Sequence, residues 1–385
     1  MKVTFNKEIV ITGLQQAIAV MPTKTGQPYL RTLWISAEND TISFQSTDTS
    51  IEYSGTFSAD VAEKGTVGVF GQIFYRLIST CKEMIEISYT DGDNSLMIRH
   101  KDGECKVPIM PLNWFQPVMP FPNEESVTIS GALLSEAIDK VGYCIPTDEA
   151  FEALSNMYMN KQDEGVVHIC GINGHLFSLF SFQHDDLSNY IPDQGILIKK
   201  IYLSHINKFL GKSEVRITFN DKRFFIKNNE EVLSVPLTHD SYPDYDTILS
   251  RFNTEDLSHL KINRFALTDT INRILTVDYS EKSYTDFYLS MDKQELSCSA
   301  VGENSGEVKE KIQISYNGTI NRITFSTEKL LSIIEHFSSE TLNFTLTSQE
   351  GPCSIEGNED AFNKVIIMPV KTLPQDQDDQ VDEVE

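Results

Sequence analysis

Cysteine is scarce in this chain: six residues (Cys81, Cys105, Cys144, Cys170, Cys298 and Cys353) are scattered over 385, with no CxxC pair and no cysteine–histidine cluster at metal-ligand spacing. This excludes a disulfide framework and gives no support to zinc or any other cofactor, so the thiols read as reduced, mostly buried small hydrophobes. No apolar run approaches the roughly 20 residues needed to span a bilayer, so no membrane partner is expected. The start, MKVTFNKEIV, lacks the basic, apolar and small-residue regions of a signal peptide, and the expected location is the cytoplasm. Also missing are a nucleophile motif, a glycine-rich phosphate cradle and catalytically spaced carboxylates. His175 beside Gly174, with Asp48 or Asp244 elsewhere, is what remains for acid–base chemistry, and a lone histidine of this kind is more often structural. The chain is expected not to be an enzyme.

Positive charge is short as well. Thirty-two Lys and Arg face 56 Asp and Glu, a formal charge of -24. Such a balance ordinarily speaks against a protein that grips nucleic acid. It does not speak against one that surrounds a duplex and slides, which needs only a weakly positive inner wall.

What the chain has is a repeat. Residues 2–18 (KVTFNKEIVITGLQQAI), 126–145 (SVTISGALLSEAIDKVGYCI) and 260–275 (LKINRFALTDTINRIL) each show a short alternating run and then a helical apolar period. With Phe5, Ile129 and Ile262 aligned, apolar residues recur at Ile9 and Val10, Leu133 and Leu134, and Leu267, then at Leu14, Ile138 and Ile271. The same grammar returns at 66–78, 195–209 and 323–334, where Phe70, Ile198 and Phe325 take the leading place. Six half-repeats in consistent order predict one strand-then-helix domain written three times. The competing description is an ordinary α+β protein with periodic helices.

Taken in order, the expected domains are 1–122, 123–251 and 252–373. Each carries two amphipathic helices among antiparallel strands bounded by turn clusters such as Asn39-Asp40 and Asp102-Gly103. Pro117, Pro120 and Pro122 stiffen the first linker. The second helix of the second repeat stands out as basic, with Lys199, Lys200, His205, Lys208 and Lys212. From Pro374 the chain turns to PQDQDDQVDEVE, six acidic residues in twelve, predicting an acidic disordered tail at 374–385. Setting that tail aside leaves about -18 on the rest.

STDTSIEY at 46–53, GINGHLFSLF at 171–180, SYPDYDTIL at 241–249 and VIIMPVKTL at 365–373 carry a resemblance. In this order, on a threefold repeat, the chain resembles the bacterial sliding clamps, beta subunits of the replicative DNA polymerase III, over residues 1–373. The resemblance implies an α+β fold of three repeated DNA-clamp domains, each two helices packed on antiparallel sheets, closing into a homodimeric ring. Twelve helices at neighbour spacings of ~9 Å give a circle ~35 Å across at the helix axes and a hole of ~25 Å, wide enough for hydrated duplex, whereas six would leave under ~10 Å. The implied function is a processivity factor that encircles double-stranded DNA without sequence preference. Its partners are the polymerase III catalytic subunit, the clamp loader, other polymerases and repair proteins, engaged through short linear peptides. The alternative is a repeat-built interaction scaffold that does not encircle DNA.

Carried over by position, the resemblance implies three sets of residues. DNA contact falls to Lys24, Lys199, Lys200, Lys208, Lys212, Arg264 and Arg273, with Lys329 also on an inner helix; otherwise these are solvated helix faces. A partner groove between the second and third domains would use Leu154, Ile172, Gly174, His175, Leu176, Phe177, Pro243, Thr247, Ile248, Pro352, Ile366, Met368, Pro369 and Val370. The competing assignment is interdomain core, for Leu154 and Ile366 above all. A dimer contact would set Lys106 and Pro108 against Ile274 and Leu275, Lys106 standing where the family often has a large apolar residue. Leu176, Asp246 and Thr247 stand where the family often has arginines and Ile172 where it has a threonine, which predicts a groove more apolar and less cationic than usual. The acidic tail either modulates that groove electrostatically or serves solubility.

Overall fold

The computed structural model describes residues 1–22, 27–90, 92–122, 125–147, 153–278, 283–302 and 306–371. Lys24 and the acidic tail lie outside the described residues. The chain forms two compact units, one of residues 1–138, 156–165 and 184–240, the other of residues 139–155, 166–183 and 241–385.

All six expected strand-to-helix steps are present. Lys2–Asn6 leads into the helix Lys7–Val20, Gly65–Phe70 into Gly71–Thr80, and Val127–Ser130 into Gly131–Gly142. Ile196–Lys199 leads into Lys200–Phe209, Ser258–Asn263 into Arg264–Val277, and Arg322–Ser326 into Thr327–Glu335. The last strand residue often doubles as the helix cap, because a short polar side chain there satisfies an orphan N–H of the first turn. Asn6 accepts from the Glu8 N–H at 2.9 Å, Ser130 from Leu133 at 3.3 Å and Asn263 from Ala266 at 3.0 Å. Phe5, Ile129, Ile262, Ile198 and Phe325 are buried, while Phe70 is half-buried beneath the Arg31 guanidinium, 5.6 Å from its ring centre. Ile9 departs from expectation: it is 49% exposed, and Val10 alone faces the core.

In the first unit thirteen described strands form one antiparallel sheet from Val127–Ser130 at one edge to Asp60–Glu63 at the other. Its middle joins Glu231–Pro236 to Glu52–Ser58, with Leu233 opposite Tyr53. There the Tyr53 hydroxyl donates to Glu231 Oε1 at 2.6 Å, and burial pushes the Glu231 carboxyl above its ordinary range. The helix Lys200–Phe209 ends at Phe209, so Lys212 is not on it but in the exposed segment that follows.

In the second unit Val166–Ile172, Leu176–Gln183, Asn363–Ile367, Cys353–Gly357, Thr341–Leu346 and Ser258–Asn263 lie side by side in that order. Gly306–Asn317, Glu295–Gly302, Tyr284–Ser290 and Arg322–Ser326 continue the sheet. The two helices Arg264–Val277 and Thr327–Glu335 lay Leu267, Ile271, Ile274, Leu330, Ile333 and Ile334 on Phe287, Phe325 and Phe344. Leu176↔Ile367 and Phe177↔Ile366 pair antiparallel, so strands drawn from the proposed second and third domains share one sheet.

The C-terminal end of the Gly131 helix is pressed onto this sheet at Gly171. A Cβ there would stand 2.5 Å from the Val141 carbonyl oxygen and 2.8 Å from Ile145 Cγ1. The oxygen belongs to a helix backbone and cannot swing aside. Gly171→Ala is therefore expected to destabilise the protein by about 1–3 kcal/mol, read as a lowered urea midpoint; an unchanged midpoint would show that the helix end can yield.

Candidate peptide groove

Sequence first sets a tight turn at the end of Val166–Ile172. The Asn173 side-chain oxygen accepts from the backbone N–H groups of His175 and Leu176, at 3.0 and 2.8 Å, and Gly174 takes φ +83°, a left-handed conformation that suits glycine. The turn exposes the His175 carbonyl, which accepts the Met368 N–H at 2.9 Å. Two residues on, the Val370 N–H donates to the Thr324 carbonyl at 2.9 Å. Backbone bonds thus hold Met368 beside the Gly174 turn.

Between these segments lies a cavity of about 210 Å³ lined by Ile172, Gly174, His175, Leu176, Phe177, Ile248, Arg251, Pro352, Ile366 and Met368. The floor is buried, Ile172, Leu176, Phe177 and Ile366 being at most 7% exposed, whereas Met368 is 37% exposed. A thioether chain in that position gives an adaptable apolar wall over a buried base.

One wall is the segment Ser241–Phe252, fastened from below by Tyr245. Its ring stacks on Phe177 at 5.4 Å between centres, and its hydroxyl meets His168 Nδ1 at 3.0 Å. Burial holds the His168 imidazole below its ordinary range, which favours the neutral ring. Asp244 completes the wall, accepting from the Asp246 N–H and the Thr247 hydroxyl, each at 3.0 Å, and so starting the short helix Asp246–Leu249 that delivers Ile248. Tyr245→Phe removes the His168 partner within a buried site and is expected to cost about 1–2 kcal/mol. A calorimetric scan of the two proteins checks it, and superimposable transitions would show that the hydroxyl contributes nothing.

Nine of the fourteen expected groove residues line the cavity. Of the others, Thr247 spends its hydroxyl on Asp244, Pro369 is buried and Val370 half-buried, and Leu154 and Pro243 are half-buried outside the lining. Arg251 was not among the expected residues, yet it lies four residues beyond Thr247 and three beyond Ile248. Helical spacing puts such residues on one face, which is the signal that points to it.

Arg251 brings a positive charge to the groove's lining. Lys329 contributes further: its ammonium, with burial second, holds His175 below the usual imidazole range. Burial in turn lowers Lys329 itself. Lys329 therefore acts electrostatically on the groove's His175.

The expected DNA-contacting residues divide. Lys199 caps the helix Lys200–Phe209 and Lys200 opens it, both half-buried, while Lys208 in its last turn and Lys212 beyond it are exposed. Arg264 and Arg273 each have a partner within the chain, and the Arg273 side chain remains 52% exposed. Arg264 Nε donates to the Ser339 carbonyl at 2.8 Å, and Arg273 grips Glu310 through Nε and Nη2 at 2.7 and 3.0 Å. Among the dimer residues Lys106 and Pro108 are exposed on Gly103–Met110. Ile274 is 0% exposed in the core, which withdraws its side chain from any partner, and Leu275 is half-buried against that core.

Comparison with known proteins agrees with this architecture. Residues 1–120 match the DNA polymerase III beta subunit N-terminal domain and residues 251–371 its C-terminal domain. The beta sliding clamp of Rickettsia bellii is 24% identical over 389 residues, and that of Caulobacter vibrioides 20% over 379; each alignment takes in 96% of this chain and all of the relative. A crystal structure of the Pseudomonas aeruginosa sliding clamp bound to griselimycin superposes with a TM-score of 0.85 at 19% identity, over 97% of this chain and all of that one. Paired helices on antiparallel sheet in a repeated unit are the architecture of the class of DNA clamps. The chain belongs to the DNA polymerase III beta subunit family. Its function is that of a sliding clamp, a processivity factor with no catalytic step of its own.

Proposed function

We propose that two copies of this chain close into a ring around duplex DNA, each built of clamp domains at 1–122, 123–251 and 252–373. The groove at Ile172, Leu176, Phe177, Ile366 and Met368 receives short linear peptides from the polymerase III catalytic subunit, the clamp loader, other polymerases and repair proteins. The observation that carries this reading is the slot itself: a buried apolar floor with one adaptable wall takes aliphatic and aromatic anchors without first paying to order itself. The protein acts in the cytoplasm, on DNA held by enclosure.

Lys199, Lys200, Lys208 and Lys212 supply loose, salt-sensitive contact with phosphates. Two of them, Lys199 and Lys200, stand at a helix N-terminus, where a cation opposes the macrodipole by about 0.3–1 kcal/mol each. Lys106, Pro108 and Leu275 are proposed for the contact between the two chains. The test is topological. Loaded onto nicked circular DNA, the protein stays bound through gel filtration in moderate salt and leaves once the circle is cut; native mass spectrometry gives twice the 43.6 kDa of one chain. Loss that is the same from circular and linear DNA would fit a scaffold instead.

A further inference from the structure

We propose that the acidic segment Pro374–Glu385 of this chain is itself a ligand of the groove, competing there with partner peptides. This inference rests on the groove reading above and adds a regulator to it.

Three observations lead to it. First, the match to the family's C-terminal domain stops at residue 371, short of the acidic segment Pro374–Glu385. Second, they start at the groove: Met368 lines it, and Val370 is bonded to Thr324 two residues later. Ten residues from Lys371 to Val381 can extend ~33–36 Å, ample to turn back over a cavity of about 210 Å³. A ligand tethered this closely has an effective concentration in the millimolar range, so even weak affinity gives substantial occupancy.

Third, the chemistry is complementary. The segment VDEVE, Val381 to Glu385, sets two aliphatic residues three apart among three carboxylates. The groove sets an apolar floor beside the exposed Arg251, with Lys329 acting on His175 at its turn. In a protein with a formal charge of -24, cations beside an apolar slot are the exception, and an acidic peptide with aliphatic anchors suits both features. The aliphatic pair is the proposed anchor, and the carboxylates are the proposed partners of Arg251 and Lys329.

The experiment compares the full chain with one ending at Leu373, using fluorescein-labelled peptide 374–385 and anisotropy. The shortened chain is expected to bind the peptide, about tenfold more weakly at 200 mM than at 50 mM NaCl because charge pairs near the surface are screened. The full chain should bind it at least tenfold more weakly than the shortened one, its own tail being in place. Arg251→Glu in the shortened chain, or Val381→Ser with Val384→Ser in the peptide, should each lower affinity fivefold or more.

Equal binding by the full and shortened chains, or binding indifferent to Arg251→Glu, overturns the proposal. The same organism's polymerase III catalytic subunit separates the two readings. If the shortened chain binds that subunit but not the tail peptide, only the tail inference falls. If it binds neither, the groove reading falls with it.

Discussion

Lys140→Met is expected to destabilise the protein by about 3–5 kcal/mol, because it strands a buried carboxylate. The Lys140 ammonium lies 2.8 Å from Asp360 Oδ1 and 2.6 Å from the His336 carbonyl, at the C-terminal end of the helix Thr327–Glu335 where a cation is favoured. The side chains are only 11% and 3% exposed. Asp360 also accepts from the backbone N–H groups of Ser338 and Ser339 and, at 2.5 Å, from the Ser339 hydroxyl. One carboxylate therefore ties the end of that helix, the Gly131 helix and the turn before Asn363 together. Deleting the ammonium leaves the charge and removes its neutralising partner. Urea unfolding reads the loss, and a shift below about 1 kcal/mol would mean that water reaches the pair.

The same group sets a pH dependence. Burial alone would raise the Asp360 carboxyl, but the bonds from Lys140 and Ser339 prevail and hold it at about 2. The unfolded chain has an ordinary aspartate near ~3.9. With the folded value depressed, the stabilisation is fully present above the unfolded pKa and disappears as pH falls through about 2, since the unfolded chain takes up its proton first. Lys140→Met should flatten this part of the acid unfolding curve.

Met368→Asp is expected to weaken binding of the polymerase III catalytic subunit at least a hundredfold, about 2.7 kcal/mol, with little change in thermal midpoint. Met368 is exposed enough to change without disturbing the core, yet its side chain forms the slot's outer wall. A carboxylate there must be desolvated when an aliphatic anchor enters, and nothing in the apolar floor repays that cost. Retention on circular DNA should be untouched, because enclosure does not use the groove. Affinity within a factor of three of the unchanged protein would remove Met368 from the site; surface plasmon resonance on both proteins decides.

Reading the two predictions together shows how differently their sites are recorded in the chain. Gly174, His175 and Met368 sit within short distinctive segments, and a local turn signal at Asn173-Gly174 marks where the backbone must double back. Lys140 and Asp360 carry no such mark: 220 positions apart, each looks like a solvated charge on a polar face. Arg273 is the converse case. Its place on an amphipathic helix suggests an unpaired cation, but Glu310 on a neighbouring strand accepts from its Nε and Nη2.

The strand-to-helix repeat, its caps and its apolar faces were determined by the sequence alone, because each depends on residues within a few positions of one another, and periodicity records such neighbours directly. Tertiary structure alone decided which charges remain available. Arg251 joins an apolar cavity, Lys329 acts on His175, Arg264 donates to the Ser339 carbonyl, Arg273 pairs with Glu310, and Ile274 faces inward. The fate of a side chain's charge depends on what the fold brings within a few ångströms of it, and for these residues that neighbour comes from a distant part of the chain.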